Sequence, residues 1–335
     1  MDSILLLAHT EPDGTLAKPA LESLTAALAL GGQVTVGLAG SVVQPAADQI
    51  AGCGAVRFLA VAGEAFAQPR YATDAAAAEA LCRASDAALV IAAGTSRWAR
   101  ALPGVAFRLN GRIDTHATGL AVQNNAPAVT RWFYRQRMEA VLTRAQRPWM
   151  VLVDPGGWTA WSGASGTAAV ELVEAPEAAT RTSFTGIRAP KTDEQTIRPD
   201  AKLLFVAGAG WTKKQADGAS HGAEAEALIL GFLGKSQASL GGSKSLVEQS
   251  GEGEAVLRFM THLNQVGQTG STPRHPKGLS TCCHGEEPHV VGWRFVNQRR
   301  AINLDPNCGW ARGKADVVYV ADAFEVMRHL NRLLG

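Results

Sequence analysis

Short apolar runs that alternate with helix-length segments constrain this chain more than any other feature. Ser3 to Ala8 is an apolar run of buried-strand length. Pro19 then opens a helix, where its missing N–H costs nothing. Leu21, Leu24 and Leu28 share one face of that helix, and Gly31-Gly32 ends it. Val34, Val36 and Leu38 predict a second strand, Val56 to Val61 a third, Thr73 to Ala84 an alanine-rich helix and Ala87 to Ala92 a fourth strand. This β-α-β-α rhythm predicts an α/β fold with a parallel sheet covered by helices. After about Asp114 the pattern shortens. Val129 to Tyr134, Ala140 to Thr143 and Met150 to Val153 read as strands of an antiparallel addition.

Residues 155–200 are rich in Gly, Ala, Ser, Thr and Pro and carry little periodicity, so they read as a connection, with one strand at Val170 to Val173. The pattern restarts near Lys202, with a strand at Leu203 to Ala207 and a helix at His221 to Leu233. The expected organisation is an N-terminal α/β domain over 1–185, a linker over 186–200 and a second domain over 201–335. A chain of 335 residues is long enough for two cores. A formal charge of +2 provides neither a basic field for nucleic acid nor an acidic tail. The apolar runs are too short to span a bilayer, and the start has no basic region followed by a long apolar one. Five cysteines, an odd number, do not form a disulfide framework. A cytoplasmic location is therefore expected.

Three glycine-bearing turns could carry chemistry. Gly208-Ala209-Gly210 follows an apolar strand, but Lys213 stands where a dinucleotide fingerprint would place its third glycine, and a plain strand-to-helix turn accounts for it as well. Gly241-Gly242-Ser243-Lys244 combines close backbone approach, a helix-capping hydroxyl and a cation, which suits a phosphate or simply a capped surface helix. In Gln265-Val266-Gly267-Gln268-Thr269-Gly270, glycines bracket an amide and a hydroxyl on a loop, an arrangement found in cofactor sites and in solvated turns. Cys282-Cys283-His284, Glu286-Glu287, His289 and Cys308 are all metal-ligand types, although adjacent cysteines rarely close a tetrahedral site. A metal- or thiol-based redox site at Cys282, Cys283 and His284 is one alternative.

Taken together, these segments resemble the electron-transfer flavoprotein α subunits. Gln265 to Gly270 matches that family's Q-V-G-Q-T-G. Gly241 to Lys244 resembles its G-A-S-R turn, with lysine for arginine. His289 stands nineteen residues after Gly270, where the family's I-S-G-A-I-Q-H ends. Ala301 to Pro306 resembles A-I-N-K-D-P, and Asp316 with Ala321 to Val326 resembles A-D-Y-G-I-V-A-D-L-F-E-V. Lys18-Pro19 and Leu102-Pro103 are similar to N-terminal features of the family. The chain departs from the family at its S-G-G-R-G, here Ala207-Gly208-Ala209-Gly210-Trp211, which lacks the arginine. It departs again at Cys283 to His289, where only Gly285 and His289 match, and in a longer stretch between Glu248 and Gln265.

The resemblance implies a flavodoxin-like C-terminal domain that holds FAD and an N-terminal domain that meets a β subunit, which itself often binds AMP. It implies an electron carrier rather than a substrate-converting enzyme. Electrons would come from a flavin-dependent dehydrogenase, acting on an acyl-CoA or an N-methylated amine, and pass to a quinone-linked acceptor. Carried over residue by residue, the flavin contacts would be Ser243, Lys244, Gln268, Thr269, Gly270, His284, Gly285, His289, Asn303 and Asp316. Thr269 would sit near the ring, Lys244 and His289 would supply positive charge beside it, and His284 with Lys244 would stand in for the missing arginine. The departures leave a second alternative, an assembly subunit without flavin.

Overall fold

In the computed structural model, residues 3–133, 138–186, 197–198, 201–248, 257–267, 274–282, 296–308, 311 and 315–335 are described. The chain divides into two compact units, Met1–Ile187 and Arg188–Gly335. Among the described residues no helix is long and apolar enough to cross a membrane.

The first unit interleaves β1 (Ile4–His9), α1 (Lys18–Leu28), β2 (Val34–Gly40), α2 (Gln44–Gln49), β3 (Arg57–Ala62), α3 (Tyr71–Ser85), β4 (Leu89–Ala93) and α4 (Ser96–Arg108). It continues through β5 (Arg112–Gln123), β6 (Ala126–Phe133), β7 (Met138–Leu142), β8 (Trp149–Val153) and β9 (Val170–Leu172). Nine strands form one sheet in the order β7-β6-β5-β8-β4-β1-β2-β3-β9. The pairings are parallel except β5 with β6 and β6 with β7. Central strands of such a sheet are covered on both faces, and Leu5, Leu6 and Leu7 are accordingly buried in succession. Leu6 packs with Leu24 and Ala47 from α1 and α2, while Leu5 and Leu7 pack with Leu81 and Trp98 from α3 and α4.

Two expectations change here. Met150 to Val153 belongs to β8, which is not part of the antiparallel addition but runs parallel between β4 and β5. All five of its residues are buried, as a strand covered on both faces requires. The antiparallel part is β6 and β7 alone, built on β5. The stretch after β8 is also no loose connection. Trp161 N–H donates to Leu21 O, Gly52 N–H to Ala164 O, Gly166 N–H to Asp48 O, and Ala168 N–H to the Asp48 carboxylate. These bonds tie residues 161–168 to α1, α2 and the turn after it, and deliver β9 to the far edge beside β3.

One buried carboxylate joins the antiparallel strands to the parallel ones. Asp114 on β5 accepts from Arg131 Nη1 at 2.9 Å, from Arg144 Nη2 at 2.9 Å and from Trp149 Nε1 at 2.9 Å, with a further contact from Arg144 Nε. Burial pushes this carboxyl upward, but the hydrogen bonds from Arg144, Trp149 and Arg131 outweigh it and hold it below the usual carboxylate range.

The second unit contains β10 (Leu203–Ala207), α5 (Gly222–Ser236), β11 (Ser239–Gly242), α6 (Lys244–Glu248), β12 (His275–Cys282), β13 (Val296–Asn303), β14 (Val317–Val320) and α7 (Ala323–Leu333). Its sheet has the order β11-β10-β12-β13-β14, with parallel pairing throughout. Counted within the unit this is 2-1-3-4-5, the flavodoxin-like order. Phe205, Ile229, Phe232, Phe324 and Met327 fill one face between sheet, α5 and α7, and Leu204, Val206, Val266 and Ala301 fill the other. The fold is thus the two-domain α/β architecture that the apolar rhythm predicts.

Candidate functional site

In an open parallel sheet, ligands bind beyond the carboxyl ends of the strands, at the point where strand order reverses. In the second unit that point lies between β10 and β12. The chain leaving four of the five strands at this edge defines the candidate site: the turn from Gly208 after β10, Ser243 after β11, Asn303 ending β13 and Asp322 after β14.

Ser243 is buried, its N–H donates to Ala207 O at 2.9 Å, and its Oγ accepts from Leu246 N–H at 3.2 Å. It therefore caps α6 and ties β11 to the end of β10. Lys244 follows it, but its Nζ lies 3.3 Å from Glu248 Oε1, one helical turn on. The cation is thus already partnered along its own helix. Asn303 is fully buried, and its Oδ1 accepts from Asp305 N–H at 2.9 Å, an Asx-turn that folds the chain back at the strand end.

Asp316 lies elsewhere. It precedes β14, at the amino end of the sheet, where it accepts from the Arg299 backbone N–H at 2.7 Å and from Arg299 Nη2 at 2.8 Å. The Arg299 side chain and backbone hold its carboxyl below the usual range. Four strand residues at ~3.3 Å each put it roughly 13 Å from the edge that carries Ser243 and Asn303. Carboxylates on that edge are Asp305, whose Oδ1 accepts from Asn307 N–H at 2.8 Å, and Asp322, whose Oδ1 accepts from Glu325 N–H at 3.1 Å and caps α7. Asp316 and Asp322 lie in the same sequence motif. The signal for Asp322 was its spacing to Glu325 ahead of an apolar helix, a capping pattern that marks a strand-to-helix junction.

The distinctive glycine loop is placed at its start only. Gln265 bridges to Gly242, and Val266 N–H donates to Gly242 O at 3.0 Å, so the loop departs from the side of β11 next to Ser243. A Cβ on Gly241 would come within 2.8 Å of Val266 Cγ1, and one on Gly242 within 2.2 Å of Met260 Cε. The two glycines thus allow segment 257–267 to lie directly on the strand. Gly267 has φ +121°, which L residues rarely adopt. Gln268, Thr269, Gly270, His284, Gly285 and His289 lie outside the described residues, as does Cys283. Among the described residues no group of three or more His, Cys, Asp or Glu is arranged to hold a metal.

Two observations bear on whether a large polar cofactor fits this edge. Ser280 on β12 is 1% exposed, and its Oγ has no hydrogen-bond partner among the described residues, although β12 borders the reversal point. Buried hydroxyls are normally satisfied, and this one is in register with Val206 and Ala301 on the neighbouring strands, near the carboxyl end of β12. The glycine pair of β11 offers no second opening, because Val266 and Met260 already lie against it.

The model of the electron transfer flavoprotein domain matches residues 4–178, more than half of the chain. The chain belongs to the electron transfer flavoprotein family. It is also 25% identical over 331 residues to the electron transfer flavoprotein subunit alpha of Pseudomonas aeruginosa, an alignment that covers 98% of this chain and 99% of that protein. The likeness extends through both units, and at this level of identity the chain is a divergent electron transfer flavoprotein of the alpha type. The matched family domain coincides with the first unit, whereas the candidate site lies in the second.

Proposed function

We propose that this chain is the α subunit of a heterodimeric electron transfer flavoprotein and holds FAD at the carboxyl edge of its second sheet. The observation that carries this reading is the 2-1-3-4-5 parallel sheet with Ser243, Asn303 and Asp322 gathered at one edge. FAD supplies the electron chemistry when bound. The chain's own task is to hold it and set its surroundings. Ser243 offers a hydroxyl fixed by its capping bond, Asn303 an amide locked by its turn, and Asp322 a carboxylate suited to sugar hydroxyls. Thr269, Gln268 and Gly270, with His284, Gly285 and His289, belong to the same reading through the family motifs they match. Lys244 contributes charge only in competition with Glu248. In this reading the partner is a β subunit that often binds AMP, the donor is a flavin-dependent dehydrogenase, the acceptor is quinone-linked, and the complex works in the cytoplasm.

The test is co-expression with a β-type subunit and an absorption spectrum of the purified complex. A yellow one-to-one complex with flavin bands is expected. A colourless stable complex would favour an assembly subunit, and metal without flavin would favour a site at Cys282, Cys283 and His284. Within the yellow complex, Asp322→Ala is expected to weaken flavin retention about tenfold and to cost ~1 kcal/mol through the lost cap. Asp316→Ala is expected to leave flavin bound, because its solvent-screened pair with Arg299 lies at the opposite edge and contributes little. Equilibrium dialysis of FAD against both variants checks this, and the reverse ranking would return the ligand role to Asp316.

A further inference from the structure

The family turn S-G-G-R-G is Ala207-Gly208-Ala209-Gly210-Trp211 here, so four of its five positions differ, the last two most in size and charge. Glycine stands where the arginine would be, and tryptophan stands where the last glycine would be. Bulk has moved one residue along the turn, and the structure shows where it went. Trp211 is 0% exposed. Its Nε1–H donates to Thr281 Oγ1 at 2.7 Å, and that hydroxyl in turn donates to Val206 O at 3.1 Å. Gly208 N–H donates to Thr281 O at 2.8 Å. The indole also packs against Phe324 with ring centroids 4.6 Å apart, two residues after Asp322. One side chain thus joins the turn after β10, the carboxyl end of β12 and the start of α7.

We propose that Trp211, locked by Thr281, is a positioning residue for the flavin: it fixes the edge of the site by packing, in place of an arginine acting by charge. The inference rests on the reading of this edge as the FAD site. Two bonds to Thr281 fix the register of the β10 turn against β12, whose end leads into the segment bearing Cys283, His284 and Gly285. Phe324 transmits the same constraint to the α7 cap. A fully buried ring with its N–H satisfied touches no solvent-facing ligand, so its effect on the flavin must pass through the backbone it holds.

The experiment uses the co-expressed complex stripped of flavin and titrated with FAD. Trp211→Ala removes too much volume to be informative, so Trp211→Phe and Thr281→Val are compared, each deleting the indole–hydroxyl bond while keeping most of the packing. Each is expected to weaken FAD binding about tenfold, with the double variant no worse than either alone, as coupled partners behave. Thr281→Ser, which restores the hydroxyl, is expected to return within about twofold of the parent. The near-ultraviolet circular dichroism of the flavin-free complex is expected to change in Trp211→Phe and Thr281→Val and to recover in Thr281→Ser. Parent-like FAD affinity in Trp211→Phe and Thr281→Val, or no recovery in Thr281→Ser, would overturn the inference alone. A parent complex that never takes up FAD would overturn the inference and the proposed function together.

Discussion

Asp114→Ala is expected to destabilise the first unit by about 3–5 kcal/mol, because it strips the shared acceptor from two arginines in and around a buried site. Asp114 is 1% exposed, and the side chains of Arg131 and Arg144 are 18% and 36% exposed. Removing the carboxylate leaves both cations and the buried Trp149 N–H without it. For a domain of this size the loss corresponds to a fall in melting temperature on the order of 10 °C. Asp114→Asn is expected to cost less, since an amide oxygen still accepts from Trp149 Nε1. The effect reaches beyond stability. Asp114 anchors Arg131 of β6 and Arg144, just after β7, to the parallel core, and in the proposed function this unit meets the β subunit. Loss of the partner on size-exclusion chromatography should accompany the lower melting temperature. Variants that melt within a degree of the parent would show that the cluster contributes little. The sign of its pH dependence is fixed as well. A carboxylate held below its unfolded value stabilises above that value, near pH 4, and the contribution disappears as pH falls through the lower folded value.

The sequence revealed β1 to β4 of the first unit and β10 of the second because each is an apolar run with a turn signal after it. Ser3 to Ala8 and Leu203 to Ala207 need no tertiary information to be recognised. β8 was equally visible as Met150 to Val153, but nothing in four apolar residues says whether the neighbours run parallel or antiparallel. Its place was decided by β5, which the sequence hides. β5 contains Thr115, His116, Thr118 and Gly119, and its register shifts between Asp114 and Ala117, with His116 at φ +58°. A bulge of this kind breaks the alternation that marks a strand. The stretch after β8 was misread for a different reason. Its glycines and alanines look like a linker, whereas what holds it is backbone hydrogen bonding, which leaves no mark on composition.

At the candidate site, the residue types were legible and their geometry was not. Ser243 and Asn303 were singled out, and the fold brings both to the carboxyl edge. Asp316 and Asp322 lie six residues apart in one motif, on either side of a four-residue strand. Choosing between them requires knowing which end of the strand carries the ligand, and only the topology provides that. The pairing of Lys244 with Glu248 could have been read from their spacing on a helix. The lock between Trp211 and Thr281 could not, because the two are 70 residues apart in sequence.

In the first unit, acid sensitivity above the usual carboxylate range should include a contribution from His9. His9 ends β1, and its ring lies 5.8 Å from Trp98. Burial, and then the positive charge of Arg97, depress its pKa from 6.5 to about 4, against a smaller upward push from the Thr10 backbone. Arg97 itself is held by Asp74 at 2.7 Å, with Arg100 at 3.6 Å from the same carboxylate, so the cation facing His9 is fixed. The unfolded chain binds a proton near pH 6.5 that the native state refuses until about pH 4. Stability therefore falls as pH drops through this window, by ~1.4 kcal/mol per unit, or on the order of 3 kcal/mol across it. The Asp114 cluster is spent only below that range, so the two effects separate on the pH axis. Urea unfolding of the parent at pH 7, 6 and 5 should show the slope, and His9→Phe, which keeps an aromatic ring against Trp98, should flatten it. Equal slopes in the two proteins would mean that His9 is protonated in the native state and that Arg97 does not bear on it.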